Sequence, residues 1–222
     1  MLVGILLKNY KIYGGVKYIP VTTNHNFIAY IGDNGVGKSS ILEALDTYFN
    51  SREWNVTKGA STTDANIPYI TIAHLIDKNI AKNVIGNKKE LLEKIEKINE
   101  CMWDFDTIES RLGSKSFEAK DMVLDLRKLD DTYKETHYLI LSGRGYWNTT
   151  HAHFGSFDGI IANLFDIQEF DSQKENSNER LRKGFTDINS FIRDYYSYIY
   201  MPVEAGIEEF TKLETNNMQK LI

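Results

Sequence analysis

One short stretch, GDNGVGKS at residues 32–39, limits what this chain can fold into more than any other feature. It completes the pattern G-x-x-x-x-G-K-[S/T] of a phosphate-binding loop. Residues 27–31 (FIAYI) predict a short buried strand before the loop, and residues 38–49 predict an amphipathic helix after it. The apolar side of that helix comprises Ile41, Leu45, Tyr48 and Phe49. This order of strand, glycine loop and helix is typical of a site for a nucleoside triphosphate.

The residue types in the loop suit phosphate chemistry. Its glycines permit backbone angles that residues with a Cβ resist, so successive N–H groups can turn toward an anion at the N-terminus of the helix. We expect Lys38 to reach the β- and γ-phosphates as the catalytic residue, and the Ser39 hydroxyl to bind Mg²⁺. The predicted nucleotide-binding residues are Gly32, Asp33, Asn34, Gly35, Val36, Gly37, Lys38, Ser39 and Ser40. The alternative is a glycine-rich turn that binds nothing.

The residues beyond the loop narrow the family. Residues 34–45 (NGVGKSSILEAL) resemble the ABC-type ATPase heads of the structural-maintenance-of-chromosomes, RecF, RecN and OLD-nuclease group, which read N-G-x-G-K-S-[S/T]-[I/L]-L-x-A-[I/L]. Residues 2–11 (LVGILLKNYK) are similar to the first strand of such heads. The resemblance is specific over residues 1–49 and looser over 67–77.

This resemblance implies an α/β fold, the N-terminal lobe of a P-loop NTPase head, with a mixed sheet that includes antiparallel strands and flanking helices. It implies ATP and Mg²⁺ as ligands, and either a homodimer of heads or a complementary C-terminal lobe as partner. It also implies a role in DNA repair, DNA processing or defence against phage, with DNA contacted through the assembled complex. The Q-loop glutamine of such heads is best matched by Gln168, with Gln173 and Gln219 as alternatives. Lys11 or the region of Asn9 is expected to approach the nucleotide.

The motifs that such heads need for hydrolysis are missing from the sequence. A Walker B strand ends in Asp-Glu, where Asp supports Mg²⁺ and Glu positions the attacking water. Residues 160–166 come nearest, but Asn163 interrupts the apolar run and Ile167 replaces the Glu. LSGR at residues 141–144 follows a predicted strand, so its likeness to the signature motif is attributed to chance. We therefore expect ATP binding with poor hydrolysis by this chain alone, and interpret it as an incomplete head, either a fragment or a split subunit.

Length and periodicity predict one domain over all 222 residues. We expect a β-rich nucleotide-binding part over 1–80 and a mostly helical part over 81–222 that leads toward a coiled coil or second lobe. The predicted strands are 2–13, 16–23 (after a turn at Gly14 and Gly15), 27–31, 68–77, 136–142 and 197–203. The predicted helices are 38–49, 88–111, 120–129, 188–196 and 207–221, with 51–66 a loop and 158–165 of undetermined type.

Charge and cysteine content limit the function classes. A net charge of −5 gives no global basic signature for nucleic acid. The single cysteine, Cys101, fits a reducing cytoplasm and is expected to be a half-buried helix residue rather than a nucleophile. No apolar run approaches the roughly 20 residues of a membrane-spanning helix, so we expect a cytoplasmic protein without membrane contact. His151 and His153 could bind zinc, but polar loop histidines are favoured because no cysteine or carboxylate cluster is near in sequence.

Three alternative functions stay open. A GTPase is suggested by NKKE at residues 87–90, although Glu90 replaces the Asp that pairs with guanine. A P-loop kinase suits the length, but only Arg180 and Arg182 could supply its lid. A nucleotide-gated assembly module without significant turnover is the non-enzymatic alternative.

Overall fold

The described part of the chain is an α/β structure built on one antiparallel sheet. The computed structural model describes residues 1–21, 28–62, 66–114, 116–146, 152–165 and 183–200. The strands, in the spatial order β2-β1-β3-β4, are β1 (Leu2–Tyr10), β2 (Tyr13–Pro20), β3 (Tyr69–Asp77) and β4 (His137–Gly145). The helices are α1 (Lys38–Asn50), α2 (Lys78–Ile85), α3 (Lys89–Trp103), α4 (Phe105–Arg111), α5 (Phe117–Arg127), α6 (Asp130–Tyr133), α7 (Asp158–Leu164) and α8 (Thr186–Tyr195).

Strands β3 and β4 are covered on both faces. Every residue of β3 from Tyr69 to Ile76 is buried, and so is every residue of β4 from Tyr138 to Gly145. Successive side chains of a strand point to opposite faces, so an unbroken buried run means that both faces are packed. Helix α5 lies against β1 and β2, and α3 lies against β4. The predicted strand at 68–77 is thus confirmed.

Helix α1 confirms the helix predicted at 38–49. Ile41, Leu45 and Tyr48 are buried, as their spacing indicated. Two buried hydrogen bonds connect this helix to the sheet: Tyr10 Oη to Thr47 Oγ1 at 2.8 Å and Tyr48 Oη to Ser142 Oγ at 2.6 Å. The helix that follows the glycine loop is therefore fixed on β1 and β4.

The first hairpin turns earlier than predicted. The turn falls at Lys11 and Ile12, and the two glycines expected there lie inside β2. Asn9 and Lys11 take positive φ angles of 53° and 49°, and the pairing of β1 with β2 is irregular between Lys8 and Tyr10. The Asn9 Oδ1 atom accepts a hydrogen bond from the Gly15 N–H at 2.7 Å. The chain therefore reverses direction beside a bulge with Asn9 in the left-handed region, and not at the two glycines to which we assigned the turn.

The helical part is more divided than its periodicity suggested. The helix predicted at 88–111 is two helices, because Asp104 interrupts it and caps α4 by accepting the Thr107 N–H at 3.2 Å. Helices α2 and α6 were not predicted, and residues 158–164 of the undetermined segment are helical. The expected helices at 120–129 and 188–196 correspond to α5 and α8, and the expected strand at 136–142 corresponds to β4.

Two predicted strands are wrong, and they account for the difference in sheet type. Residues 28–31 form no strand, and Ile31 is 93% exposed. Residues 197–200 likewise form no strand, while 201–203 and the helix predicted at 207–221 lie outside the described residues. A strand needs a hydrogen-bonding neighbour, and the apolar run at 28–31 has none within the described ranges. The described sheet is therefore antiparallel throughout rather than mixed.

Candidate functional site

The glycine loop lies at the N-terminus of α1, with two glycines in the left-handed region. Gly35 has φ 85° and Gly37 has φ 94°. A Cβ at Gly37 would lie 2.5 Å from Ile12 Cδ1 and 2.9 Å from Tyr13 Oη. Both the backbone angle and the close neighbours therefore require glycine at this position.

The first turn of α1 presents free backbone donors to the loop. This helix has 13 residues, and its N-cap is Gly37, which has no side chain to cap it. In the part of the chain that the structure describes, no side-chain hydrogen bond caps this end, and no acidic residue lies in the first turn. The first N–H groups of a helix have no partner within the helix, and the helix dipole makes this end electropositive. The arrangement suits an anion, and the exposed loop before it leaves that anion a way in.

The lysine of the motif folds back over the loop. Lys38 Nζ donates to the carbonyl oxygens of Gly32 and Asp33 at 2.6 and 2.7 Å. Its ammonium group thus lies over the loop, at a position open to solvent. Ser39 is exposed, whereas Ser40 is buried against the sheet. The predicted metal ligand is therefore accessible.

The β1–β2 turn packs against the loop, a contact that the sequence did not predict. Tyr13 Oη donates to the Gly37 carbonyl oxygen at 3.1 Å, across 24 residues of sequence. Tyr30 is half-buried, and burial and then the charge of Tyr13 raise its pKa. The tyrosine hydroxyl fixes the last peptide group before α1. No local pattern links these residues, because they are 24 positions apart in the sequence.

Lys11, which was expected to approach the nucleotide, is paired with a side chain of α1. It forms an ion pair with Glu43, one turn into α1, and the second α1 carboxylate, Asp46, pairs with Arg52 at 2.7 Å. Asp46 Oδ1 also accepts from Asn50 Nδ2 at 2.6 Å. Both carboxylates of this helix are therefore engaged.

The remaining candidate residues divide between described and undescribed parts. Several predictions concern residues that the structure does not describe. These are the Q-loop glutamines Gln168, Gln173 and Gln219, the histidine His151, and the lid arginines Arg180 and Arg182. The nearest approach to a Walker B strand falls in α7, and residues 141–144 lie within β4, which confirms that they are no signature motif.

The histidine and cysteine predictions have separate outcomes. His153 lies in a loop, as predicted, and its side chain is buried. Its ring stacks on Tyr69 at 5.0 Å, and its Nδ1 lies 3.3 Å from an Asp158 carboxylate oxygen. Within the described ranges, no three His, Cys, Asp or Glu side chains are placed to hold a metal ion.

Cys101 is buried in α3, and burial raises its pKa to about 11. It is therefore a neutral thiol at pH 7, as expected of a structural cysteine.

The chain was compared with known proteins at three levels. No protein-family model, no curated protein and no solved structure matches it. Among the helices that are described, none is long and apolar enough to cross a bilayer.

Proposed function

We propose that this chain binds ATP with Mg²⁺ at residues 32–40, as a segment of an ABC-type ATPase head. One observation carries the proposal: the junction of loop and α1 combines positive-φ glycines, an uncapped helix N-terminus and a lysine held over the loop. Each of these features suits a phosphate group.

The residues of the loop and of the first turn of α1 fit a bound Mg·ATP. The loop and first-turn N–H groups bind phosphate oxygens, and Ser39, which is exposed, is placed to contribute its hydroxyl to Mg²⁺. Lys38 leaves the two carbonyl groups and donates to phosphate instead. In this step the ammonium group exchanges two neutral carbonyl acceptors for an anion, and the attraction between opposite charges favours the bound state. When bound, Mg²⁺ neutralises charge on the β- and γ-phosphates.

Binding without efficient turnover follows from the acidic residues near the loop. Hydrolysis needs a carboxylate that positions water beside the γ-phosphate. Glu43 and Asp46 of α1 are engaged with Lys11 and Arg52. We therefore assign the missing acid to a second lobe or a second head. The same observation favours the alternative of a nucleotide-gated assembly module, with DNA repair, DNA processing or phage defence as the setting that the resemblance implies.

Isothermal titration with Mg·ATP tests the proposal, with Lys38→Ala as the variant. Lys128→Ala is the matched control, because Lys128 is exposed and pairs with Asp125 on α5. We expect saturable binding by the wild type and by Lys128→Ala, and a loss of at least tenfold in Lys38→Ala, from the charged hydrogen bonds removed.

ATPase turnover measured on the same samples separates the two forms of the proposal. Negligible turnover with clear binding supports a nucleotide-binding segment that needs a partner. Robust turnover by the isolated chain contradicts that part, and binding that Lys38→Ala leaves unchanged contradicts the site itself.

A further inference from the structure

A second candidate site lies at the other end of α1. A pocket of about 440 Å³ is lined by the last residues of that helix, the end of α8 and the segment that follows it. A helix of 13 residues is about 20 Å long, which separates this pocket from the glycine loop. Its volume falls within the range typical of small-molecule sites.

Aromatic rings form much of the pocket wall, and contacts with the protein hold them in place. The Phe49 ring stacks on Tyr198, with centroids 5.4 Å apart and an interplanar angle of 17°, and meets Tyr196 edge-on at 6.1 Å. Tyr198 Oη donates to the Leu42 carbonyl oxygen at 2.8 Å, and Tyr196 Oη donates to that of Leu75 at 3.3 Å. Because their hydroxyls are tethered, these rings offer a prearranged surface for a planar group.

Two arginines give the same region positive charge. Arg193 lines the pocket, and its Nε donates to the Asn189 carbonyl oxygen at 3.3 Å. Arg144 is not a lining residue and has 1% of its surface exposed, with its guanidinium 5.7 Å from the centre of the Tyr48 ring. Its Nη1 donates to Ser51 Oγ at 2.8 Å, and Ser51 follows the lining residue Asn50 in sequence. Burial, and then the charge of Arg193, lower the pKa of Arg144 to about 10. Asn189 also connects the two arginines, since its Nδ2 donates to the carbonyl oxygen of Gly143, the residue before Arg144, at 2.9 Å.

The charge in this region is not balanced by the described residues. Neither arginine forms an ion pair with a carboxylate in the described ranges, and Arg144 Nε and Nη2 have no hydrogen-bond partner there. The pocket has one carboxylate in its lining, Asp194, which is exposed. Within the lining, the charges of Arg193 and Asp194 cancel. The uncompensated charge is that of Arg144, and a buried guanidinium without a counter-ion is unfavourable. An anion in the pocket would supply the missing charge.

We propose that this pocket binds a small phosphate monoester of a planar ring, the chemical class that includes nucleoside monophosphates. The ring packs on the aromatic wall, and the phosphate pairs with Arg193, whose planar fork matches phosphate oxygens. This site is independent of the glycine loop, so it stands even if the loop binds nothing.

Titration of the Lys38→Ala protein with AMP and with phenyl phosphate tests the proposal, since that variant removes the lysine of the glycine loop. Adenosine lacks the phosphate and inorganic phosphate lacks the ring. We expect saturable binding of at least one monoester, at least tenfold tighter than binding of adenosine or inorganic phosphate.

Variants of the pocket then localise the binding. Arg193→Gln is expected to weaken it by roughly tenfold or more, as loss of a charge-assisted pair does, and Phe49→Leu weakens it through the ring contact. Arg127→Gln is the matched control, because Arg127 pairs with Asp106 and Glu109 elsewhere. No saturable binding of either monoester overturns the proposal, as does binding that adenosine equals or that both pocket variants leave unchanged. Thermal unfolding of each variant confirms that it is folded.

Discussion

Gly37 is the residue at which backbone geometry and packing can be tested together. An alanine there must adopt φ 94°, which costs a residue with a Cβ about 1–2 kcal/mol. Its Cβ would also lie 2.5 Å from Ile12 Cδ1 and 3.0 Å from Ile12 Cγ1. Forcing that side chain from its rotamer adds about 0.5–1.5 kcal/mol. We therefore expect Gly37→Ala to lower the free energy of unfolding by roughly 2–3 kcal/mol.

Gly59→Ala is the matched control for the backbone part of this cost. Gly59 has φ 77°, and nothing lies within 4 Å of the position that its Cβ would take. It should cost about 1–2 kcal/mol, the backbone penalty alone. Urea unfolding of both variants, and of Gly37→Ala combined with Ile12→Ala, separates the two contributions.

The double variant should recover about 1 kcal/mol relative to the sum of the single changes, because the clashing atoms are removed. If Gly37→Ala costs no more than Gly59→Ala, or if removing the Ile12 side chain gives no relief, then the packing of the first hairpin against the loop is refuted. Mg·ATP titration of Gly37→Ala should in addition show weakened binding, because the displaced loop no longer directs its N–H groups inward.

Three further predictions concern hydroxyl, histidine and arginine side chains. Tyr13→Phe removes the hydrogen bond to Gly37, so urea unfolding should show a loss of about 0.5–1.5 kcal/mol and ATP titration a weaker affinity. Burial lowers the pKa of His74 to about 3, below the ordinary value of 6.5, so between these pH values the unfolded state binds more protons than the folded state. The free energy of unfolding should therefore fall as the pH drops from 6.5 toward 3, by at most about 1.4 kcal/mol per pH unit. His74→Phe should flatten the pH dependence of urea midpoints measured across that range. Arg144→Met removes a buried charge and the hydrogen bond to Ser51, so urea unfolding should detect a change of less than about 1 kcal/mol in either direction. A loss above about 3 kcal/mol would contradict the absence of a counter-ion among the described residues.

The sequence predicted elements whose signal is local. The helical spacing of Ile41, Leu45 and Tyr48 was sufficient for α1, because one buried face repeats at the helix period. The apolar runs that became β3 and β4 were equally clear. Their burial on both faces could not be predicted, since it depends on helices far along the chain.

The errors arise where the outcome depends on distant partners. The run FIAYI has the composition of a strand, but a strand also needs a neighbour to receive its hydrogen bonds. Residues 28–31 have none among the described residues, and Ile31 is exposed. The helix predicted at 88–111 ends at Asp104, although its apolar periodicity continues beyond that residue. An aspartate is more favourable as a helix cap than in a helix interior, and the Asp104 carboxylate caps the next helix.

The second pocket had no sequence signal at all. Arg144 on β4 and Arg193 on α8 are far apart in the chain, and each resembles an ordinary charged residue in its own segment. Whether the two arginines lie near each other depends on how α8 packs on β4. By contrast, the loop motif could be predicted because all its residues are contiguous.

Hydrogen–deuterium exchange of the wild-type chain with and without Mg·ATP tests the central claim most directly, because it reports on the loop N–H groups themselves. The account predicts protection confined to peptides that cover residues 32–41, and its disappearance in Lys38→Ala. Unchanged exchange in these peptides at saturating ATP, or protection that Lys38→Ala leaves intact, would contradict the claim that this loop binds the nucleotide.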